Sequence, residues 1–210
     1  MDRMQIERRV LGMVRTNCYL VVNRETMEAV IIDPADSAGV LIADLDALGA
    51  RPAGILLTHG HFDHIGAARE LSDRYQIPIC AGREEADIME DAGMNLSIQF
   101  GNPISVKADR LLEDGETLSM AGFDFRVLFT PGHTKGGVCY YVAEEQALFS
   151  GDTLFCESVG RSDFPTGSMS VLVHSVQGLL QELPEETAVY PGHEGETSIA
   201  HEKRNNPYIF

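Results

Sequence analysis

The segment "ILLTHGHFDHIGAA", residues 55–68, narrows the choice of fold more than any other stretch of the chain. An unbroken apolar run leads straight into "THGHFDH", where His59, His61, Asp63 and His64 crowd together. The run reads as a strand buried on both faces, which belongs in a sheet covered by helices. So many polar groups beside a buried strand are costly to hide without a partner, and imidazole and carboxylate share one in a metal cation. In extended chain, residues two apart point the same way, so His59 and His61 can approach one cation together. The chain then turns into a helix at Ile65, leaving Asp63 and His64 aimed elsewhere, toward a second cation nearby.

Three later segments carry ligand types just after apolar strands: His133 in "TPGHT", Asp152 in "SGDT" and His193 in "YPGHEG". With "THGHFDH" these segments hold five of the seven histidines, and strand-end loops are where α/β folds keep their chemistry. Imidazole and carboxylate suit zinc, iron or manganese. Two such ions about 3.5–4 Å apart need a shared anionic ligand, and Asp152 can bridge them. His174 and His201 stand apart from the clusters and read as ordinary polar residues. Asp33, inside "DPAD", reads as a turn or helix-entry residue.

The rest of the chain supplies the frame. Residues 17–22 and 28–34 read as paired strands, and Ser37 as the cap of a helix that runs through Leu48 and stops at Gly49. Residues 54–58 form the next strand, 65–75 a helix, and Pro78 starts another strand. Residues 83–116 hold one or two short helices. Two strands follow over 117–133, then a hairpin over 137–152, an amphipathic helix over 168–182, a short strand before His193, and a helix over 196–205. The order hairpin, strand ending in Asp33, helix, strand ending at Thr58 recurs as hairpin, strand ending in Asp152, helix, strand ending near Gly192. This repeat predicts an α/β fold of two related layers, two sheets covered by helices, in one domain over residues 1–210.

Composition excludes several function classes. A formal charge of -16 argues against nucleic acid, whose phosphates require basic partners. No apolar run approaches the roughly 18 residues of a membrane span. "MDRMQIERRV" lacks the pattern of a secretion signal, so a soluble, cytoplasmic protein with no membrane partner is expected. Cys18, Cys80, Cys139 and Cys156 are widely spaced and read as reduced thiols, with Cys156 near enough in sequence to Asp152 to reach the site.

"THGHFDH" resembles the H-x-H-x-D-H motif of the metallo-β-lactamase-fold hydrolases, and "TPGHT", "SGDTLF" and "YPGHEG" follow in that family's order. The resemblance covers nearly the whole chain. It implies a four-layer αβ/βα sandwich, two mixed sheets flanked by helices, with the metals at one edge. It also implies a ligand set: His59, His61 and His133 on one ion, Asp63, His64 and His193 on the other, with Asp152 bridging. Aspartate at the bridge, "GRSDFPTGS" and the ending "PGHEGETSIAHEKRNNPYIF" look like the short, glyoxalase II-like branch. Long glyoxalase II enzymes carry a helical C-terminal domain that supplies much of their glutathione surface, and this sequence ends at Phe210, which leaves the thiol open.

The expectation is a binuclear metallohydrolase acting on a small thioester such as S-lactoylglutathione. Two divalent cations, zinc first and iron or manganese as alternatives, would hold a hydroxide between them. Asp63 is the residue placed to take a proton during turnover, although holding metal is its main role. Arg161 is the cation placed to pair with a substrate carboxylate, beside the alternative of a surface pair with Asp163. Phe155 and Phe164 line a pocket or pack in the core. Two other readings stand behind this one: a persulfide dioxygenase with one iron on His59, His133 and Asp152, and a non-catalytic metal-binding protein.

Overall fold

The protein is described here by a computed structural model covering residues 3–209. Its first sheet contains β1 (Met4–Leu11), β2 (Thr16–Asn23), β3 (Glu28–Ile32), β4 (Arg51–Leu57), β5 (Ile79–Gly82) and β6 (Arg110–Leu112), side by side in chain order. β1 to β3 pair antiparallel and β3 to β6 parallel. The second sheet runs β14 (Thr197–Ser198), β13 (Ala188–Pro191), β10 (Ala147–Gly151), β9 (Val138–Val142), β8 (Phe123–Phe129) and β7 (Thr117–Met120). Only β10 and β13 pair parallel there. A small ribbon, β11 (Leu154–Phe155) with β12 (Ser158–Val159), sits apart.

Period-two alternation sorts each strand between two cores. In β2, Tyr19 and Val21 face the second sheet, where they join Phe123, Phe125, Tyr140 and Phe149. Their neighbours Cys18, Leu20 and Val22 pack under α1 (Ala38–Leu48) and α3 (Ala68–Tyr75), against Leu41, Leu45 and Leu71. The second sheet buries Leu128, Cys139, Tyr141 and Leu148 beneath α5 (Met169–Glu182). Helix α5 meets them with Leu172, Val176, Leu179 and Leu180, one stripe at helical spacing. The result is helix, sheet, sheet, helix, as expected.

The repeat is also present. β2 and β3 are antiparallel, and α1 then leads to β4, parallel to β3. β9 and β10 are antiparallel, and α5 then leads to β13, parallel to β10.

Several local expectations need correction. Ser37 precedes α1 but its side chain makes no capping bond: its backbone is left-handed (φ 54°) and its hydroxyl donates to the Asp36 carboxylate at 3.2 Å. Gly49 does end α1, in the left-handed region at φ 66°. The single helix expected over 65–75 is two, α2 (Phe62–Ile65) and α3, with the loop Pro34–Ala35 pressed into the break: Ala67 N–H donates to the Pro34 carbonyl at 2.9 Å. Strands β1, β6, β11, β12 and β14 have no counterpart in the sequence reading, and the helix expected over 196–205 begins only after β14. Helices α4 (Ala86–Glu90) and α6 (Ile199–Asn205) complete the chain.

Candidate metal centre

Each expected ligand hangs from the end of a strand at the same edge of the sandwich. His59 and His61 follow β4, and Asp63 and His64 lie on the turn of α2. His133 follows β8, Asp152 follows β10 and His193 follows β13. Bonds between the sheets fix this edge: Val138 N–H donates to the Thr58 carbonyl at 2.9 Å and Asn17 N–H to the Gly192 carbonyl at 2.7 Å. The Tyr140 hydroxyl donates to the Leu57 carbonyl and the Tyr19 hydroxyl to that of Pro191, both at 2.7 Å.

Two glycines let the loops come this close. Gly151 adopts φ +48°, and a Cβ there would lie 2.2 Å from Thr58 Oγ1. A Cβ on Gly192 would lie 2.3 Å from an Asp152 carboxylate oxygen.

The seven side chains converge in overlapping groups: His59, His61 and His133; His59, His64 and Asp152; Asp63, His64 and His193. Within each group the ligating atoms lie within 4.8 Å of one another. Asp152 is central, its oxygens 3.4 Å from His64 Nε2 and 3.5 Å from both His133 Nε2 and His193 Nε2. Asp63 Oδ2 lies 3.3 Å from His193 Nε2 and 3.5 Å from His64 Nε2.

The site fits a metal by a test independent of its motif. Buried polar atoms are normally hydrogen-bonded, yet His59 Nε2, His61 Nε2, His64 Nε2 and Asp152 Oδ1 are buried with no hydrogen-bond partner. The opposite nitrogens explain which lone pairs are free. His64 Nδ1 donates to Asp33 Oδ2 at 2.9 Å and His133 Nδ1 to the Arg161 carbonyl at 2.6 Å. Thr58 Oγ1 donates to Asp33 at 2.6 Å and so accepts from His59 Nδ1 at 3.2 Å. On His64 and His59 the bond keeps a proton on Nδ1 and turns Nε2 toward the centre, the orientation a metal requires, while His133 Nε2 accepts from His61 Nδ1 at 2.9 Å.

Charge around the centre is balanced by protons when no cation is bound. Burial pushes His64 down, but Asp63, Asp152 and Asp33 outweigh it and hold the ring at about 9. His193 is likewise driven up to about 10 against burial, by Asp152 and Asp63. Asp63 resists burial because of His64 and His193 and sits at about 2, and Asp152 is held low for the same reason. Burial and neighbouring histidines press His59 and His61 the other way, His61 to about 3. One end of the centre therefore favours neutral imidazoles and the other carboxylates.

Three residues that sequence reasoning did not place in the site shape it. Asp33 is buried, with the left-handed φ of 49°, and also accepts Thr58 N–H at 2.8 Å. Its signal was available, since it ends its strand as Asp152 does in the second half of the repeat. Thr16 donates its hydroxyl to Asp63 Oδ2 at 2.8 Å. Glu85, fully buried, accepts Gly60 N–H at 2.6 Å with one oxygen, and the Thr134 hydroxyl and Gly136 N–H at 2.6 and 3.0 Å with the other. It ties the His59–His61 loop to the loop after His133. Burial raises its carboxyl to about 7 against the pull of these donors. Nothing in "GREEADI" marks it out.

A cleft of about 470 Å³ opens onto the centre, with Val14, Phe62, Phe100, Phe155 and Phe164 on its walls. Phe155 and Phe164 thus face the cleft rather than the core. Arg161 lines it too, but its guanidinium is held by Asp163 at 2.6 and 2.7 Å and lies over the Phe164 ring at 4.0 Å. Cys156 does not line the cleft; it lies beside His201 and Glu202, and His201 pairs with Glu157 at 2.9 Å. Cys18, Cys80 and Cys139 are buried free thiols. His174 is exposed, as expected.

A sandwich of this topology with imidazoles and carboxylates at one edge is a metal-binding hydrolase architecture, and sequence comparison gives the class a family. The sequence profile of the Metallo-beta-lactamase superfamily matches residues 11–193, and the chain belongs to that superfamily as one of its metallo-hydrolases. It is 35% identical over 199 residues to hydroxyacylglutathione hydrolase GloC of Haemophilus influenzae, covering 92% of both chains. Among solved structures it is similar to BLEG-1 B3 metallo-beta-lactamase, at 40% identity and a TM-score of 0.93 over 98% of this chain and 99% of that one. It is also similar to TTHA1623 in a di-iron-bound form, at 37% identity and a TM-score of 0.86 over 96% and 99%.

Proposed function

We propose that this protein hydrolyses thioesters, S-lactoylglutathione among them, at a pair of divalent cations held by His59, His61, Asp63, His64, His133, Asp152 and His193. The observation that carries this reading is the set of overlapping donor groups. Asp63, His64 and His193 give a second cation donors of its own, which a single-iron dioxygenase would not need. Similarity to the hydroxyacylglutathione hydrolase GloC supports the substrate class. Zinc is proposed for both positions, with iron as the alternative given the di-iron form of TTHA1623.

When bound, such a pair of ions lowers the pKa of water from 15.7 to about 7 and draws charge from the acyl oxygen. The chain's own residues set the stage for that chemistry. Asp33, Thr58 and the Arg161 carbonyl keep the Nε2 atoms of His64, His59 and His133 aimed inward. Thr16 fixes the carboxylate of Asp63, which serves chiefly as a ligand because its proton affinity, at about 2, is low. The apolar walls exclude water from one side of the acyl group and orient it. A thiol of pKa about 8.5 leaves as thiolate without a strong acid, so no side chain has to donate to it.

Metal analysis of the purified protein, paired with assays on S-lactoylglutathione and on a β-lactam, tests the reading. Two metals per chain and thioester turnover are expected. His59→Ala and Asp152→Ala should each lose metal and activity together, by more than the 10–100-fold typical of losing an outer partner of a ligand, with far-UV circular dichroism unchanged. Full turnover in either variant would sink the proposed site. Oxygen uptake with glutathione persulfide at one iron per chain would move the assignment to a dioxygenase.

A further inference from the structure

We infer that Arg8 and Arg15 form an oxyanion-binding subsite beside the metal centre, for a carboxylate or phosphate carried on the thiol portion of the substrate. The inference rests on the thioester reading and extends it to a residue pair outside the metal ligands.

Pairing of β1 with β2 sets Arg8 opposite Tyr19 and Val10 opposite Asn17. Cross-strand partners share a face, and residues two apart repeat it, so these four project together. That face is fastened to the loop bearing His193. Asn17 Nδ2 donates to the carbonyls of Pro191 at 2.9 Å and Glu194 at 3.1 Å, and Arg8 Nη1 donates to the Glu194 carbonyl at 3.1 Å. Between hairpin and loop lies a depression of about 540 Å³ lined by Arg8, Val10, Arg15 and Asn17. It shares Val14, His193 and Glu194 with the 470 Å³ cleft, so the two spaces meet directly over a proposed metal ligand.

Charge points to the same place. Acids outnumber bases 32 to 16 in this chain, and basic side chains generally have a carboxylate beside them, as Arg3, Arg9, Arg51, Arg83 and Arg110 do. Among the described residues, Arg8, Arg15, Arg24, Arg74 and Lys107 form no ion pair with a carboxylate, and of these only Arg8 and Arg15 line the depression; the Arg8 guanidinium donates to a neutral carbonyl. Arg161, the cation within the cleft itself, is already neutralised by Asp163. Glu194 sets one negative charge against two positive at the junction. An acyl group seated against the cleft's phenylalanines would leave the thiol portion free to pass over His193, where an anionic end meets both guanidinium groups. Carboxylate and phosphate are the groups a guanidinium fork recognises.

The test is calorimetric titration of the metal-loaded protein with S-hexylglutathione, a thioether that cannot be hydrolysed, and with its dimethyl ester, which lacks the carboxylates. S-hexyl-coenzyme A supplies the phosphate arm. The charged glutathione thioether should bind roughly tenfold more tightly than the ester, the scale of two exposed charge pairs. That gap should close as salt rises from about 50 to about 500 mM. Arg8→Gln/Arg15→Gln should bring the ratio near one, and Arg15→Glu, which leaves the Arg8 contact in place, should invert it. A charge-dependent gain limited to the coenzyme A thioether, lost in the double variant, assigns the subsite to phosphate instead of carboxylate and supports it equally. Three results overturn the proposal: charged and uncharged probes binding alike to the unaltered protein in both arms, a preference that survives the double substitution, or all probes weakening together in the variants. Failure of the thioester reading is separate and would show as no turnover of any thioester, whatever the binding ratio.

Discussion

Asp33 is the residue on which most of the ligand geometry turns. Its two oxygens accept from Thr58 N–H, the Thr58 hydroxyl and His64 Nδ1, so one carboxylate sets the orientation of one histidine directly and of His59 through the threonine. Asp33→Asn keeps the shape and tolerates the left-handed backbone, but half of its head group donates where an acceptor is needed. Metal affinity, measured by chelator competition, should fall about 10–100-fold while the fold persists; an unchanged affinity would show that His64 needs no outside support. At this scale the sequence is readable where function is local. Spacing two apart marks His59 and His61, and the same short segment holds Asp63 and His64. Asp33, Thr16 and Glu85 escape because their partners lie 25 or more residues away in every case, and periodicity carries no information about such pairs.

Among the elements, what is legible follows apolar patterning and what is missed defies it. β2, β4, β9 and β10 are nearly continuous apolar runs buried on both faces, and their sequences mark them as strands. β1 carries "MQIERRVL", largely half-exposed, and pairs along its whole length with β2 all the same. Its place at the sheet edge, where one flank is solvated, explains both the charge and the miss. Helices α2 and α3 merge in a sequence reading because the cause of their separation, the Pro34–Ala35 loop, comes from a distant segment. Between elements, some loops are joined through a single side chain, and Glu85 does this for the loops after β4 and β8. Glu85→Gln offers one acceptor where two are used, leaving an amide N–H facing a buried N–H or hydroxyl. The cost should be about 1–3 kcal/mol, read as a lower denaturant midpoint with an unchanged slope. A stability equal to the parent's would show that the two loops stay together without it.

For the whole molecule, protons would compete with any metal held at the centre. His64 and His193 bind a proton more tightly in the folded chain than the 6.5 of free imidazole, so their stabilisation is complete below 6.5 and is lost as pH climbs through about 9 and 10. Glu85, raised from 4.5 to about 7, acts in the same direction at lower pH. His59 and His61 are depressed and act only below 6.5. Metal-stripped protein should therefore lose thermal stability from pH 6.5 to 8.5, and added zinc should reduce the loss by supplying the missing positive charge. A flat or rising melting temperature over that range in the stripped protein would contradict the balance. No described helix is long and apolar enough to cross a membrane. The repeated strand–helix order has one more consequence. One copy of the repeat brings His59, His61, Asp63 and His64 to the edge, and the other brings Asp152 and His193, with His133 from the strand just before it. Cations here would act as a clasp between two leaves, so parting the leaves and releasing the metal become a single mechanical event.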